Sequence, residues 1–319
     1  DRVSRELIPR LLYEFDLTRP YLPSSPYLGE AVYQRGFNES QLPEAHLWGP
    51  RGYYKAANYK EARNPFVSEI GYHGCPNRET LQRMMSPECV YPWEKDFEWN
   101  EEWLTKSVRR YPTDGKAFAR NNLMLDQIRH LFGNVPRDLD DFILASQSVQ
   151  AEAMKYFVEK WRGRKFDDAS GIIWWNLRDG WPLISDAIVD YYYGKKRAYW
   201  YLRNAQRDVC LFMNDAVEGG HPLMAANETQ QDAEGQVTVS DIASGRTLYE
   251  GSFRVPANSK AQVALLPETD GQGVYLIIYR TGGNEYRNHY LYGNPPYDLR
   301  QYRRWIDKCE IVSDGKAPS

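Results

Sequence analysis

The sequence predicts two kinds of structure in one chain: a mixed α/β first part and an all-β second part. Up to residue 205, apolar strand-like runs alternate with helical patterns, and polar side chains gather where those runs end. After Gln206, short β-type runs follow one another between Gly, Asn, Pro and Ser turns. We therefore predict about half of a (β/α)₈ TIM barrel over residues 1–205 and an immunoglobulin-like β-sandwich with a C-terminal tail over residues 206–319.

Length, charge and cysteine usage exclude several classes of protein. The 319 residues suffice for one large domain or two ordinary ones, and the net charge of −3 is spread over interspersed acids and bases. This pattern predicts neither a nucleic-acid partner nor a membrane partner, and no apolar run is as long as a bilayer span. Four cysteines without CxxC spacing favour reduced thiols over disulfides or a zinc site; they are Cys75, Cys89, Cys210 and Cys309. We expect no metal or organic cofactor, and a cytoplasmic or periplasmic location is favoured.

Aromatic residues are abundant, with 10 Trp and 24 Tyr. Flat rings can fill a large core or stack on the apolar faces of sugars, and composition does not separate the two uses. In chain order, apolar residues recur at helical spacing over residues 3–15, and a turn follows at 16–20. Tyr21-Leu22 then predicts a short strand that leads into a rigid loop at 23–26. Because the chain opens inside a helical pattern, we expect it to be a fragment.

The run from Asn64 to Gly74 is predicted to be a short buried strand that ends in a loop, and Gly71 allows the sharp turn. Glu69 lies at the end of this strand. A carboxylate among apolar neighbours must be paired, protonated or used in function, so Glu69 is a candidate site residue. The alternative is an ordinary strand-end glutamate in contact with water.

A cluster of three different polar or aromatic groups precedes this strand. His46, Trp48 and Arg51 bring an imidazole, an indole and a guanidinium within one turn of chain. Each also has a purely structural interpretation: a satisfied loop histidine, a lid over the core and a surface charge.

The stretch from Cys75 to Phe166 is predicted to be helical. Asp138 can cap a helix with Asp141 at its third position, and an inner stripe runs from Phe142 to Trp161 before Gly163 ends the helix.

The continuous apolar run at 171–182 predicts a strand covered on both faces, as in a parallel sheet. Polar residues appear only at its far end: Asn176, Arg178 and Asp179. Residues 190–205 are predicted to begin as a loop and to end as a helix. A half-barrel has two open edges, and we expect this part not to fold alone.

The second part contains five runs with β character and a hairpin turn at Ser244-Gly245. The runs are 209–213, 236–241, 247–255, 261–266 and 273–279. We expect the segment around 295–306 to cover a neighbouring surface and residues 313–319 to be a loose tail.

Several stretches match one protein family in the same order along the chain. They are Asp16–Pro26, His46–Trp48, Phe66–Gly71, Leu139–Tyr156, Trp175–Pro182, Val189–Tyr192 and Asn288–Leu291. Together they resemble glycoside hydrolase family 2, in particular its β-mannosidase-like branch. Phe66–Gly71 resembles the nucleophile strand of that family, and Trp175–Pro182 is similar to its last barrel strand. The half-barrel is therefore expected to be the C-terminal half.

The resemblance implies a retaining exo-glycosidase that hydrolyses terminal β-linked sugars by double displacement. Glu69 would be the nucleophile, and the substrate would be a carbohydrate. In this family the acid/base is a glutamate that follows an asparagine at the end of the fourth strand. None of the Asn-Glu pairs here has that place, so the acid/base is expected upstream of Asp1. The missing N-terminal part of the same polypeptide would then be the partner of this chain.

The resemblance also implies substrate-binding roles. Trp175 would form a wall for the sugar, with packing on a barrel helix as the alternative, and Trp181 belongs to the same motif. His46 and Trp48 would contact sugar hydroxyls or the ring edge.

Asn176 and Asp179 would bind hydroxyls or fix their loop. Arg178 stands where a neutral residue is usual in the family. It could accept a carboxylate-bearing sugar or pair with Asp179, and we favour the pair.

Two other functions compete with the enzyme hypothesis. One is a non-catalytic carbohydrate-binding fragment in which Glu69 only hydrogen-bonds sugar. The other is a β-sandwich interaction module with a helical appendage, which fits only the residues after Gln206.

Overall fold

The computed structural model describes residues 1–37, 42–107, 109–110 and 118–312. Its helices are a π-helical turn Val3–Leu7 continuing into α1 (Ile8–Phe15), α2 (Glu30–Gln34), α3 (Ala57–Lys60), α4 (Arg78–Met84), a 3₁₀ turn Pro87–Cys89, α5 (Glu101–Thr105), α6 (Asn122–Phe132), α7 (Leu139–Arg164), α8 (Arg197–Ala205) and α9 (Leu299–Cys309). None of the helices in this part of the chain is long and apolar enough to cross a membrane.

Strands in the first part are β1 (Glu44–His46), β2 (Phe66–Ile70), β3 (Trp93–Lys95), β4 (Glu98–Trp99), β5 (Arg109–Arg110), β6 (Phe118–Ala119) and β7 (Gly171–Trp174). Those in the second part are β8 (Val209–Met213), β9 (His221–Asn227), β10 (Ala233–Asp241), β11 (Thr247–Val255), β12 (Ser259–Leu266), β13 (Gly273–Thr281) and β14 (Asn284–Tyr292). The chain thus forms a mixed helix and sheet structure with several antiparallel sheets.

A small parallel sheet organises the first part, in the order β1-β2-β7. The strand predicted within residues 64–74 is confirmed: it spans Phe66–Ile70 and lies in the centre of this sheet. The strand predicted at Tyr21-Leu22 is wrong, because those residues form no ladder, and β1 is the neighbour of β2 instead. Since parallel strands end at one edge, the residues that follow β1, β2 and β7 meet there.

Helix α7 is the long scaffold behind this sheet. The predicted cap is confirmed: the Asp138 carboxylate accepts from the backbone N–H groups of Asp140 (2.9 Å) and Asp141 (3.1 Å). The predicted inner stripe is buried, but the helix passes through Gly163 and ends at Arg164. Side chains on nearly every face of α7 are buried, because four elements pack on it: α6, α8, β7 and β9.

The sequence predicts a helical stretch from Cys75 to Phe166, but this stretch is only partly helical. It contains two short antiparallel strand pairs, β3-β4 and β5-β6. The β3-β4 loop places Asp96 and Phe97 at positive φ (40° and 66°). A two-residue hairpin turn of this kind usually carries Asn-Gly or Asp-Gly, so Asp-Phe gave no signal for it.

Strand β7 is not covered on both faces, contrary to the prediction. Ile173 is 55% exposed, because no other described element packs over that face. The apolar side chains of α1 are also outside the core, with Phe15 exposed and no residue of the helix buried. The helix predicted over residues 3–15 forms, but its apolar side has no cover in the described chain.

The second part consists of two antiparallel sheets, β11-β10-β13-β14 and β12-β9-β8. They share one core, to which Leu211 and Leu223 contribute from one sheet and Val239 and Ile277 from the other. Strands β8 and β11 have the predicted bounds, and Gly245 makes the predicted β10–β11 turn at φ 74°. Strands β9 and β14 were not predicted.

The predicted boundary between residues 205 and 206 is crossed by one continuous core. Helix α9 buries Tyr302 and Trp305 against the first part, and the Tyr302 ring lies 5.4 Å from that of Phe132. The segment expected to cover a neighbouring surface therefore packs on the helices behind the parallel sheet. Residues 313–319, predicted as a tail, lie outside the described residues.

Candidate active site

Glu69 lies at the carboxyl end of β2, where the β1–β2 ladder is irregular. Ala45 pairs with Val67, but the next residue, His46, pairs with Glu69, so Ser68 has no direct partner. Such a bulge changes the direction in which strand side chains point. It brings the side chains of both Ser68 and Glu69 close to groups on β1.

Two of the predicted partners contact Glu69 directly. The indole N–H of Trp48 donates to Oε1 at 2.7 Å. The Nδ1 atom of His46 lies 3.7 Å from Oε2, beyond hydrogen-bond range. The side chains of Glu69 and His46 are 24% and 26% exposed. The carboxylate is thus anchored by one oxygen, and solvent reaches the group.

Trp48 is held in place from three sides. Its carbonyl accepts from the Tyr59 hydroxyl at 2.7 Å, and the Arg51 guanidinium lies 3.9 Å above its ring. A Cβ on Gly71 would lie 2.7 Å from the Trp48 ring and 2.5 Å from the Trp175 carbonyl oxygen. Glycine is therefore the residue that allows Trp48 and Trp175 to approach β2 this closely.

Several basic side chains, including the Arg51 guanidinium above the Trp48 ring, contact the buried carboxylate of Asp186. Its carboxylate accepts from Arg51 and His73, both at 3.3 Å, and from Arg120. Burial would raise the pKa of Asp186, but the His73 hydrogen bond and the charges of His73, Arg51 and Arg120 outweigh it and lower the pKa to about 2. Arg51, predicted as part of the site cluster, therefore links Trp48 to a buried acid.

Trp175 follows β7 directly, and its N–H donates to the Ile70 carbonyl at 2.7 Å. Its side chain is 49% exposed beside Gly71. The Trp175–Asn176 peptide is cis. The Asn176 side-chain oxygen is buried and has no hydrogen-bond partner among the described residues.

The predicted ion pair between Arg178 and Asp179 does not form. Arg178 instead donates to the Tyr191 carbonyl at 3.0 Å and lies 3.9 Å from the Tyr193 ring. Asp179 is buried, accepts from Ser185, and has its pKa raised by burial. The two neighbours diverge, so Asp179 has a role in its loop while the cation stays near the surface.

Trp181 is 67% exposed, and no contact ties it to Glu69. The structure thus brings Glu69, His46 and Trp48 together, with Trp175 adjacent. Trp181 and Asp179 belong to the loop that follows.

Three residues near Glu69 were missed by sequence reasoning: Ser25, Glu44 and Ser68. Glu44 is 8% exposed and accepts from the Ser25 hydroxyl (2.6 Å), the Tyr27 N–H (2.8 Å) and the Ser68 hydroxyl. Burial would raise the pKa of Glu44, but these hydrogen bonds lower it below its ordinary value. The available signal was the alternation of Glu44 and His46, which places both on one face of a strand once β1 is assigned.

Across the described residues, no group of three His, Cys, Asp or Glu side chains could hold a metal ion. All four cysteines are free thiols. A cleft of about 700 Å³ lies between the end of α7 and the loop after β8, and Lys60, Lys160 and Asp215 are among its lining residues.

No protein-family model matches the chain. Over 202 residues it is 26% identical to β-mannosidase B of Neosartorya fischeri and to that of Aspergillus niger. The matched segment covers 62% of this chain and 22% of each relative, so it spans about a fifth of their length.

Solved structures share the fold. A β-D-mannosidase from Dictyoglomus thermophilum matches with a TM-score of 0.73 at 24% identity, covering 92% of this chain and 35% of the other. An exo-chitosanase from Amycolatopsis orientalis matches with a TM-score of 0.60 at 18% identity, covering 83% and 34%. The chain is related to the glycoside hydrolases of family 2. Within that family its relatives are β-mannosidases, and the resemblance read from the sequence is confirmed.

Proposed function

We propose that this chain is the nucleophile-bearing part of a retaining exo-glycosidase that acts on terminal β-linked sugars. The observation that carries the proposal is the Glu69 carboxylate, anchored by the Trp48 N–H at the carboxyl end of a central parallel strand. Active sites of (β/α)₈ barrels lie at that edge. The names of the relatives, β-mannosidases and an exo-chitosanase, support a glycoside as substrate.

The geometry suggests how Glu69 would act. Its Oε1 atom is occupied by the Trp48 N–H, whereas no donor of the described residues lies within hydrogen-bond distance of Oε2. Oε2 would attack the anomeric carbon, the leaving group would depart, and water would then hydrolyse the glycosyl ester. During attack the carboxylate loses its charge, and the Trp48 bond keeps it oriented through both steps.

The remaining predicted residues would shape the sugar subsite. The half-exposed Trp175 ring offers a stacking face beside Gly71. The buried Asn176 side-chain oxygen is an acceptor without a partner in the described chain, which a sugar hydroxyl could satisfy. His46 and Trp48 remain proposed contacts to the sugar.

The acid/base is proposed to lie in the part of a longer polypeptide that precedes Asp1. Of the Asn-Glu pairs here, Asn38-Glu39 is outside the described residues. Glu228 forms ion pairs with Arg162 and Lys165, and Glu285 with Arg280 and Arg287. The Asn100 side chain accepts from the Trp103 N–H and so caps α5, which lies far from β1 and β2 along the chain. The three pairs within the described residues therefore have structural uses.

The same longer polypeptide would complete the fold. We propose that its preceding part pairs with the free edges of β1 and β7 to close a TIM barrel, with the two antiparallel sheets forming an immunoglobulin-like sandwich beside it. This part would also cover the exposed face of β7 and the apolar side of α1.

Covalent labelling tests the proposal. A 2-deoxy-2-fluoro-β-mannoside with a dinitrophenyl leaving group needs little acid assistance, and its fluorine slows hydrolysis of the ester. We expect one fluoromannosyl mass addition on the peptide that contains Glu69 in the full-length polypeptide. Glu69→Gln should abolish it, whereas the exposed control Glu61→Gln should not.

Reversible binding of the probe by a folded sample, with no adduct, would contradict the enzyme hypothesis. That outcome would support the non-catalytic carbohydrate-binding alternative.

A further inference from the structure

Ser25, Glu44 and Ser68 form a polar network beside His46, and within it the Glu44 carboxylate is buried. The centre of the network is the hydroxyl of Ser25, in the loop between α1 and α2. This oxygen lies 2.6 Å from Glu44 Oε1, 3.0 Å from His46 Nε2 and 3.2 Å from Ser68 Oγ. The network therefore joins a buried acid to the imidazole that faces Glu69.

Counting protons fixes the direction of these hydrogen bonds. A serine hydroxyl has one proton to donate, and an ionised carboxylate can only accept. Glu44 is held ionised by three donors: the hydroxyls of Ser25 and Ser68 and the Tyr27 N–H. Ser25 thus donates its proton to Glu44, and its oxygen is left to accept from the Nε2–H of His46.

This direction sets the tautomer of His46. In a neutral imidazole, one nitrogen carries the proton and the other carries a lone pair. With the proton on Nε2, the lone pair of Nδ1 points towards Glu69 Oε2. Two acceptors do not form a hydrogen bond, and the separation of 3.7 Å is what such a contact should show.

We propose that Ser25 and Glu44 are positioning residues that hold neutral His46 in its Nε2–H tautomer, so that the imidazole donates no hydrogen bond to the Oε2 atom of Glu69. The effect on the attacking oxygen rests on the proposed function, whereas the tautomer rests on this geometry alone. A hydrogen bond from His46 to Oε2 would stabilise the ground-state carboxylate and make it a weaker nucleophile.

Nitrogen-15 NMR of histidine-labelled protein reads the tautomer directly. At pH 9 an ordinary imidazole is neutral, and the two ring nitrogens give distinct shifts. We expect the His46 proton on Nε2. In Glu44→Gln the new amide can donate to Ser25, which frees the serine proton for His46 Nε2. The ratio of tautomers should then move towards Nδ1–H by about tenfold, the size expected for one hydrogen bond.

Matched variants separate this effect from loss of structure. Ser25→Ala removes the acceptor and should weaken the preference for the Nε2–H tautomer. Ser24→Ala, in the same loop, removes a hydroxyl that only donates to the Pro26 carbonyl and should leave His46 unchanged. Unchanged signals from buried His73 and His289 show that a variant keeps its fold.

An Nδ1–H tautomer in the wild type, or an unchanged tautomer in folded Glu44→Gln, would overturn the proposal. The fluoroglycoside supplies an independent reading: Glu44→Gln should label about tenfold more slowly at an unchanged apparent affinity. Absence of any adduct in the wild type would refute the proposed function of Glu69. The NMR result would still decide the role of Ser25 and Glu44.

Discussion

Removal of the Asp186 charge should destabilise the protein in a strongly pH-dependent manner. Asp186 is buried and accepts from Arg51, Arg120 and His73. Its pKa falls from an ordinary 3.8 to about 2, which corresponds to about 2 kcal/mol at 1.36 kcal/mol per pKa unit. Asp186→Asn also leaves the cations without their acceptor, so we expect a total loss of about 3–5 kcal/mol at pH 7.

The sign of the pH dependence follows from the lowered pKa. The contribution of the ionised carboxylate is fully present above the unfolded value near 4, and it is lost as the pH falls through the folded value near 2. The difference in unfolding free energy between wild type and Asp186→Asn should therefore shrink by about 2 kcal/mol between pH 5 and pH 2. Urea unfolding followed by tryptophan fluorescence measures it at each pH.

Asp140→Asn is the matched control, because that carboxylate is exposed in its pair with Arg78. Its effect should stay within about 1 kcal/mol at every pH. A difference between wild type and Asp186→Asn that does not change between pH 5 and pH 2 would refute the assignment of Asp186 as the acid that neutralises this cluster.

Three further substitutions test the surroundings of the site. Trp48→Phe removes the N–H donated to Glu69, and the rate of covalent labelling should fall about 10- to 100-fold while the unfolding free energy changes little. Gly71→Ala would force a Cβ against the Trp48 ring and should lower the free energy of urea unfolding by about 1–3 kcal/mol. The control Gly180→Ala, where nothing lies within 4 Å of the new Cβ, should be near neutral. Equal effects of the two substitutions would contradict the close approach of Trp48 to Gly71. Arg178→Gln should weaken inhibition by a carboxylate-bearing sugar more than by its neutral counterpart if the guanidinium faces the substrate, whereas equal inhibition constants would confine it to its contact with Tyr193.

Elements whose signal is local could be predicted from the sequence. The cap at Asp138 needs only residues within one helical turn, and it formed as expected. Strands β8 and β11 have the predicted bounds because their β-branched and aromatic residues lie between clear turns. The β2 strand belongs to the same group, since its apolar residues lie within a run of five residues that Gly71 follows directly.

Elements that depend on distant partners could not be predicted. The sequence of β9, His-Pro-Leu-Met-Ala-Ala-Asn, has weak β propensity, yet β9 is the central strand of its sheet and every residue in it is buried. Pairing on both sides outweighs propensity there. Pro222 and the alanines give a strand only because β8 and β12 supply the ladders.

The same distinction explains which site residues were found. Glu69, His46 and Trp48 were chosen because unusual side chains stand at a strand end. Ser25 and Glu44 escaped notice, because their importance depends on a bulge at Ser68 and on a loop 19 residues away in the chain. Proximity in sequence misled in the opposite way at Arg178 and Asp179, because one side chain packs outward on Tyr193 while the other turns inward to Ser185.

The failed prediction for β7 carries information of its own. Its sequence is apolar on both faces, as in a strand between two layers, but Ile173 is exposed in the described chain. The apolar side of α1 shows the same mismatch, with Phe15 exposed on a well-formed helix. Both patterns suit surfaces that are buried, and β1 and β7 also leave free edges on the same sheet. A single completing layer of strands and helices would resolve all three mismatches, which is why the barrel proposal and the site proposal depend on the same longer polypeptide.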